Sequence, residues 1–252
     1  MQWVGESLVS KGVRERGFEV TCDGRAVPGV LWAPEAATGP TPLVLIGHGG
    51  SGHKRQGHLV SLARRLVRHH GIAAATIDGP VHGDRASEGV DLSDPRKRRA
   101  AFQRKGVVDA MVADWKATLD ALQKLPELGA ARAGYWGLSM GTMFGLPFVA
   151  SEPRIGVAVL GLMGTPVEGD DRAEVDRTEL AQRLIELAPA VHCPVLFLQQ
   201  LEDELIPRAA ALDLFDRIGS VDKRLHANPG AHAAVPADEF AHTQEFLARH
   251  LV

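Results

Sequence analysis

The chain has 252 residues, of which 45% are hydrophobic and 23% charged, with a formal net charge of -3. That length suffices for one large α/β domain or two small ones with a sizeable core, while the mildly acidic balance excludes a nucleic-acid footprint or a polybasic membrane patch. No stretch approaches the ~18 apolar residues of a membrane span, and Cys22 and Cys193 lie outside any C-x-x-C, so neither a disulfide framework nor a zinc-ligand pattern is indicated.

The opening residues, MQWVGESLVSKGVRERG, lack the apolar run of a secretion leader, and a reducing cytoplasm is the expected compartment. GFEVTC (17–22) and AVPGVLWAP (26–34), separated by Asp23-Gly24-Arg25, read as a β-hairpin. PTPLVLIGHG is a wholly apolar strand of the kind buried on both faces of a parallel sheet. HLVSLARRLVRHHG (58–71) has helical spacing and ends on a glycine, and IAAATID (72–78) is the next strand. The stretch from Arg85 to Gly106 is polar; its basic run Arg96-Lys97-Arg98-Arg99 reads as a solvated helix start. A helix follows from Val107 to Leu125, stopped by Pro126. AGYWGL (133–138) is a strand and MGTMFGLPFVAS a helix in which Gly141 and Gly145 permit close packing on neighbouring strands and Pro147 predicts a kink. IGVAVLGLM (155–163) is a strand, a helix surrounds Arg177–Leu187, and PVLFLQQ (194–200), AAALDLFDRIG (209–219), KRLHANP and FAHTQEFLARHLV alternate strand and helix to the end. This alternation predicts an α/β fold of eight strands, mostly parallel, with helices on both faces. No break in composition divides it, so residues 1–252 form one domain.

Gly137-Leu138-Ser139-Met140-Gly141 is G-x-S-x-G between a predicted strand and a predicted helix, the setting in which this motif lifts a serine above the sheet on a tight turn. A serine hydroxyl needs a base, and the base needs an orienting acid. Later strand ends supply both types: PVLFLQQLEDELIP puts Glu202, Asp203 and Glu204 just past one strand, and NPGAHAAVP puts His232 in the loop after the last. His226, inside a strand pattern, and His242, inside the final helix, read as structural.

GHGGSG after the third strand, DGPVHGDR after the fourth, GLSMG after the fifth, D-E-L-I-P after the seventh and G-A-H after the eighth together resemble the α/β-hydrolases of the dienelactone-hydrolase-like esterase group. The resemblance spans nearly the whole chain. It implies an α/β-hydrolase fold with a minimal cap at 164–192, and a triad of Ser139, Asp203 and His232. Asp203 is preferred over Glu202 because the family sets its acid in D-x-x-[IV]-P, matched by Asp203-Glu204-Leu205-Ile206-Pro207. Dienelactone hydrolases proper use cysteine where this chain has Ser139, which points to a general serine esterase.

LVLIGHGGSG (43–52) also satisfies the dinucleotide fingerprint G-x-G-x-x-G, with Asp78 where a ribose-binding acid would stand. In that fingerprint the glycines open the helix directly, whereas SGHKRQG intervenes here. The resemblance instead makes the loop an oxyanion hole, with N–H groups from Gly50 and Met140. His48 orders that loop, His53 and His58 read as surface residues, and Asp78, His82, Asp84 and Arg85 as structural hydrogen-bonding groups. None of these histidines matches a ligand spacing such as H-E-x-x-H, so no metal and no cofactor is expected. Trp136, Met140, Leu162, Met163 and Ile206 flank the serine or lie at strand ends nearby; of these Trp136, Met163 and Ile206 are expected to touch the acyl or alcohol group. The expected partner is a small ester, with no nucleic acid or membrane, and homo-oligomerisation stays open. The same triad also serves thioester, amide, peptide and C–C bond cleavage, and the fold also occurs in non-catalytic binding proteins.

Overall fold

Short runs of apolar residues with no polar alternation can be satisfied only where both faces of a strand are covered, and three such runs define the centre of this molecule. A computed structural model of the protein describes residues 1–37, 39–86, 94, 97, 100, 104–129, 132–166 and 179–252. In it β4 (Leu43–Gly47), β5 (Ala73–Ile77) and β6 (Ala133–Gly137) are buried at every position. They lie in one nine-stranded sheet with β1 (Gln2–Ser10), β2 (Val13–Cys22), β3 (Arg25–Pro34), β7 (Ile155–Gly161), β8 (Val195–Gln200) and β9 (Lys223–Asn228), in the order β1-β2-β3-β5-β4-β6-β7-β8-β9. Pairing is antiparallel from β1 through β3 to β5 and parallel from β5 across to β9.

The sheet has one strand more than the eight expected. The addition is β1, which pairs antiparallel with β2 through a two-residue turn whose residues, Lys11 and Gly12, both have positive φ (54° and 75°). The β2–β3 hairpin closes the same way through Asp23 and Gly24 (48° and 73°), one residue tighter than the sequence spacing suggests.

Alternation along the central strands splits the core in two. Leu45 and Tyr135 point into a cluster covered by α2 (Val107–Leu122), α3 (Met140–Ser151), α4 (Glu179–Leu187) and α5 (Arg208–Arg217). Val44, Ile46 and Trp136 point the other way, beneath α1 (Gly57–His70) and α6 (Ala237–Leu251). Helix α2 ends at Leu122, three residues short of the expected stop; beyond it Leu125 N–H turns back to the Leu122 carbonyl (3.0 Å), ahead of Pro126. Helix α3 runs unbroken across Pro147 and is buried from Met140 to Val149. Of the cap segment 164–192, residues 167–178 lie outside the described residues, as do 96, 98 and 99 of the basic run.

Candidate active site

The turn from β6 into α3 is tight because its glycines are required. A Cβ on Gly137 would stand 2.7 Å from the Gly141 carbonyl oxygen, and one on Gly141 would stand 2.7 Å from that of Gly47. Between them Ser139 is held at φ 57°, ψ -119°, a region that side-chain-bearing residues rarely occupy and that surrounding structure must enforce. The enforcement is visible. Ser139 N–H donates to the Gly161 carbonyl (3.0 Å), Gly141 N–H to Leu138 (2.9 Å), and Met143 N–H to Ser139 (2.9 Å). The buried Thr142 hydroxyl accepts from Gly161 N–H (2.7 Å) and faces the carbonyls of Gly137 (2.8 Å) and Gly161 (2.7 Å), tying the elbow to β7.

The structure brings the three expected side chains together. His232 Nε2 lies 2.9 Å from Ser139 Oγ, and His232 Nδ1 lies 2.8 Å from Asp203 Oδ2. The histidine and aspartate side chains are 12% and 3% exposed, so their contact is largely shielded from water. Asp203 Oδ1 accepts the N–H groups of Leu205 (2.9 Å) and Ile206 (2.8 Å). Burial pushes the Asp203 carboxyl up, but the His232 hydrogen bond and those two backbone donors outweigh it and hold the group below its ordinary value. A carboxylate fixed on Nδ1 leaves Nε2 free to take a hydroxyl proton, which is the arrangement a nucleophilic serine requires.

All three consecutive acids after β8 serve the histidine loop, which sequence reasoning did not foresee for Glu202 and Glu204. Glu202 accepts the Gly230 N–H, and Glu204 accepts the His232 N–H at 2.9 Å. That second bond holds the Glu204 carboxyl below its ordinary value. Gln200 donates to the carbonyls of Pro229 (3.2 Å) and Ala234 (2.9 Å) from the strand end itself. Thr142 was likewise unanticipated, since a threonine one residue past a G-x-S-x-G carries no signal of its own.

The loop after β4 is built on buried hydrogen bonds. His48 Nδ1 donates to the Gly49 carbonyl (2.8 Å) while its Nε2 accepts from Gly79 N–H (2.8 Å), which defines a neutral tautomer; burial pushes this imidazole down to about 4. The Gly49 carbonyl belongs to the same peptide plane as Gly50 N–H, so the bond from His48 also orients that donor. His82 faces the carbonyls of Pro80 (2.7 Å) and Gly50 (3.0 Å). Neither Gly50 N–H nor Met140 N–H has a hydrogen-bond acceptor among the described residues. Asp78 accepts Lys54 N–H and Asp84 N–H (both 2.8 Å) and the Lys54 ammonium, while Arg85 spans the Asp78 carbonyl (3.0 Å) and Asp114 (2.8 Å), so these groups brace the loop, as expected.

The substrate contacts expected of Trp136 need correction. A strand apolar on both faces does not reveal which way a side chain points. Trp136 is 2% exposed, its indole N–H donates to Thr243 (3.3 Å), and its ring stacks on Phe240, so it belongs to the core under α6. Met163 and Ile206 are half-buried against the opposite core cluster. A cleft of about 630 Å³ beside β2 and β3 contains none of the three residues around Ser139; its cations Arg25, Lys54, Arg55 and Arg85 are already paired with Asp114, Asp78 or Glu15.

No family model and no curated protein matches the chain. Among solved structures it is similar to a cold-adapted esterase from an Arctic intertidal metagenomic library in a polyethylene glycol-bound complex, 41% identical over 100% of both chains with a TM-score of 0.86. A zinc-bound structure of such an esterase is 40% identical over 100% of both chains, with a TM-score of 0.81. An acetyl xylan esterase from Paenibacillus sp. R4, 17% identical, shares the fold over 99% of this chain and 88% of its own, with a TM-score of 0.76. With this identity over its full length, the chain belongs to the dienelactone-hydrolase-like esterase group of the α/β-hydrolases and is a carboxylic ester hydrolase.

Proposed function

We propose that the protein cleaves small, short-chain carboxylic esters through an acyl-enzyme on Ser139, with His232 as base and Asp203 as its orienting acid. The observation that carries this reading is the continuous hydrogen-bonded line Ser139 Oγ, His232, Asp203 at 2.9 and 2.8 Å. His232 Nε2 takes the Ser139 proton as Oγ attacks the ester carbonyl carbon. Asp203, kept ionised by its donors, holds the proton on Nδ1 and stabilises the imidazolium. The negative charge on the carbonyl oxygen is received by the N–H groups of Gly50 and Met140, each worth about 3 kcal/mol at the transition state. The C–O bond then breaks, His232 returns its proton to the departing alcohol, and a water deprotonated by the same nitrogen releases the acid.

The whole chain acts as one domain in this reading, and residues 164–192 serve as a small cap. A segment of that size leaves little wall for a long acyl chain, which favours acetyl and butyryl groups. Zinc, bound in one relative, extends the reading to a divalent cation as a second ligand of this chain. Ser139→Ala assayed with p-nitrophenyl acetate and butyrate tests the centre of the proposal: kcat falls ~10⁴-fold or more while the fold persists. Retention of most of the activity overturns it. A rate profile rising from C2 towards C16 esters overturns the chain-length preference alone.

A further inference from the structure

Strand β9 runs into the His232 loop after Asn228, and α6 emerges from it at Ala237, so a bond between these elements closes the stem of that loop. His226 on β9, with Glu239 and His242 one turn apart on α6, bring three metal-ligating side chains together; one donor atom from each lies within 4.8 Å of the others. Glu239 is the unusual member. It is 4% exposed, and the ionisable side chains its carboxylate faces among the described residues are imidazoles: His226 Nδ1 at 2.8 Å from Oε1 and His242 Nδ1 at 3.9 Å from Oε2. Among the described residues no lysine or arginine lies within ion-pair distance of it. A buried carboxylate calls for a compensating positive charge, and the contact with His226 Nδ1 reaches only one of its two oxygens within hydrogen-bond distance.

We propose that His226, Glu239 and His242 form a site for a zinc-type divalent cation, with water as fourth ligand. Two imidazole nitrogens and one carboxylate are a recurrent three-residue zinc set that leaves a fourth position open. Ligand atoms around a tetrahedral zinc stand about 3.3 Å apart for bonds of ~2.0–2.1 Å, so the present cluster must contract along its longest edge. His242, with 53% of its side chain exposed, is free to make that movement. On binding, the ion replaces the hydrogen bond between His226 Nδ1 and Glu239, and the proton carried by Nδ1 moves to Nε2 or to solvent. The ion then joins Oε1 and both rings, neutralises Glu239 and ties β9 to α6. This site extends the cation reading and is independent of the hydrolytic one.

The test is calorimetric titration of zinc chloride into chelator-stripped protein, alongside His226→Ala, His242→Ala and the exposed control His192→Ala. The wild type and the control bind one ion per chain in the low micromolar range or tighter. Each cluster variant binds at least tenfold more weakly, and zinc raises Tm in the wild type and not in His242→Ala. Because His242 is on the surface, that variant folds even where His226→Ala does not. Absence of saturable binding below ~1 mM, or wild-type affinity in His242→Ala, overturns the proposal whether or not esters are cleaved.

Discussion

Ser139 and His232 meet at 2.9 Å, but the regions that deliver them are held in opposite ways. Around Ser139 the restraint is steric and internal: glycines with no room for a Cβ, a buried threonine, and backbone hydrogen bonds to β7. Around His232 it is electrostatic and peripheral: Glu202, Asp203 and Glu204 grip three separate donors of a loop that packs little apolar surface. A nucleophile on a strained turn needs one fixed geometry, which a packed core provides. A base that must gain and lose a proton needs charge held near it, which a core cannot supply. Damage to the first region therefore registers as lost stability, and damage to the second as lost rate.

The largest expected effect separates the two at once. Asp203→Asn still accepts the N–H groups of Leu205 and Ile206, so Tm changes little. Its amide, however, favours the wrong tautomer of His232, and kcat for p-nitrophenyl butyrate falls ~10³–10⁴-fold. A loss below tenfold would remove Asp203 from the proposed relay. Gly145→Ala produces the reverse pattern. Its Cβ would sit 2.1 Å from the ring of Tyr135, which is enclosed by Trp115 and Phe148 and whose hydroxyl donates to the Gly141 carbonyl at 2.7 Å. Overpacking there costs about 1–3 kcal/mol in denaturant unfolding, with a smaller effect on kcat per folded molecule.

The loop after β4, the oxyanion loop of the proposed mechanism, adds a pH-dependent member to the steric side. His48 is neutral and buried, and burial lowers it from 6.5 to about 4. Between these values the unfolded chain binds a proton that the folded one does not, so stability is fully present above pH 6.5 and declines as pH falls towards 4. Over pH 6.5 to 4.5 this single group removes about 2 kcal/mol. Urea unfolding at the two pH values, with wild type and His48→Gln, measures it: the variant is the weaker protein at pH 6.5 but loses about 2 kcal/mol less on acidification. Equal losses would mean that His48 takes up its proton in the folded state as readily as in the unfolded chain.

The same contrast explains what could be read from the chain beforehand. The steric region was legible because its signals are local: apolar runs fix β4 to β8, and Gly137 to Gly141 are contiguous. Asp203 and His232 were legible only as loop residues after strands, and choosing Asp203 among three acids needed the resemblance to a family. Strand β1 escaped notice because no residue in it is fully buried, so pairing with β2 leaves no apolar period. Trp136 was misread because a strand covered on both faces does not disclose its facing. The assembly of His226 with Glu239 and His242 was illegible for a different reason: only the one-turn spacing on α6 is local, and the third ligand arrives from a strand across the His232 loop.

Glu204→Gln is the smallest change and the sharpest test of the electrostatic side. The side chain is exposed and touches no reacting atom; its part in the proposed mechanism is to accept the His232 backbone N–H at 2.9 Å. Glutamine keeps an acceptor oxygen at that position and removes only the charge. If the loop is held by geometry alone, kcat is unchanged. If the carboxylate charge also steadies the loop and favours the imidazolium formed during attack, kcat falls on the order of three- to tenfold with KM little altered. That remains short of the ~100-fold loss a 1 Å displacement of a reacting group can bring. High salt distinguishes the cases further, because it weakens an exposed charge effect in the wild type and leaves the variant unaffected. An unchanged kcat in Glu204→Gln, at low and high salt alike, would make Glu204 a purely geometric clamp, and the two regions would then differ in where they are held rather than in how.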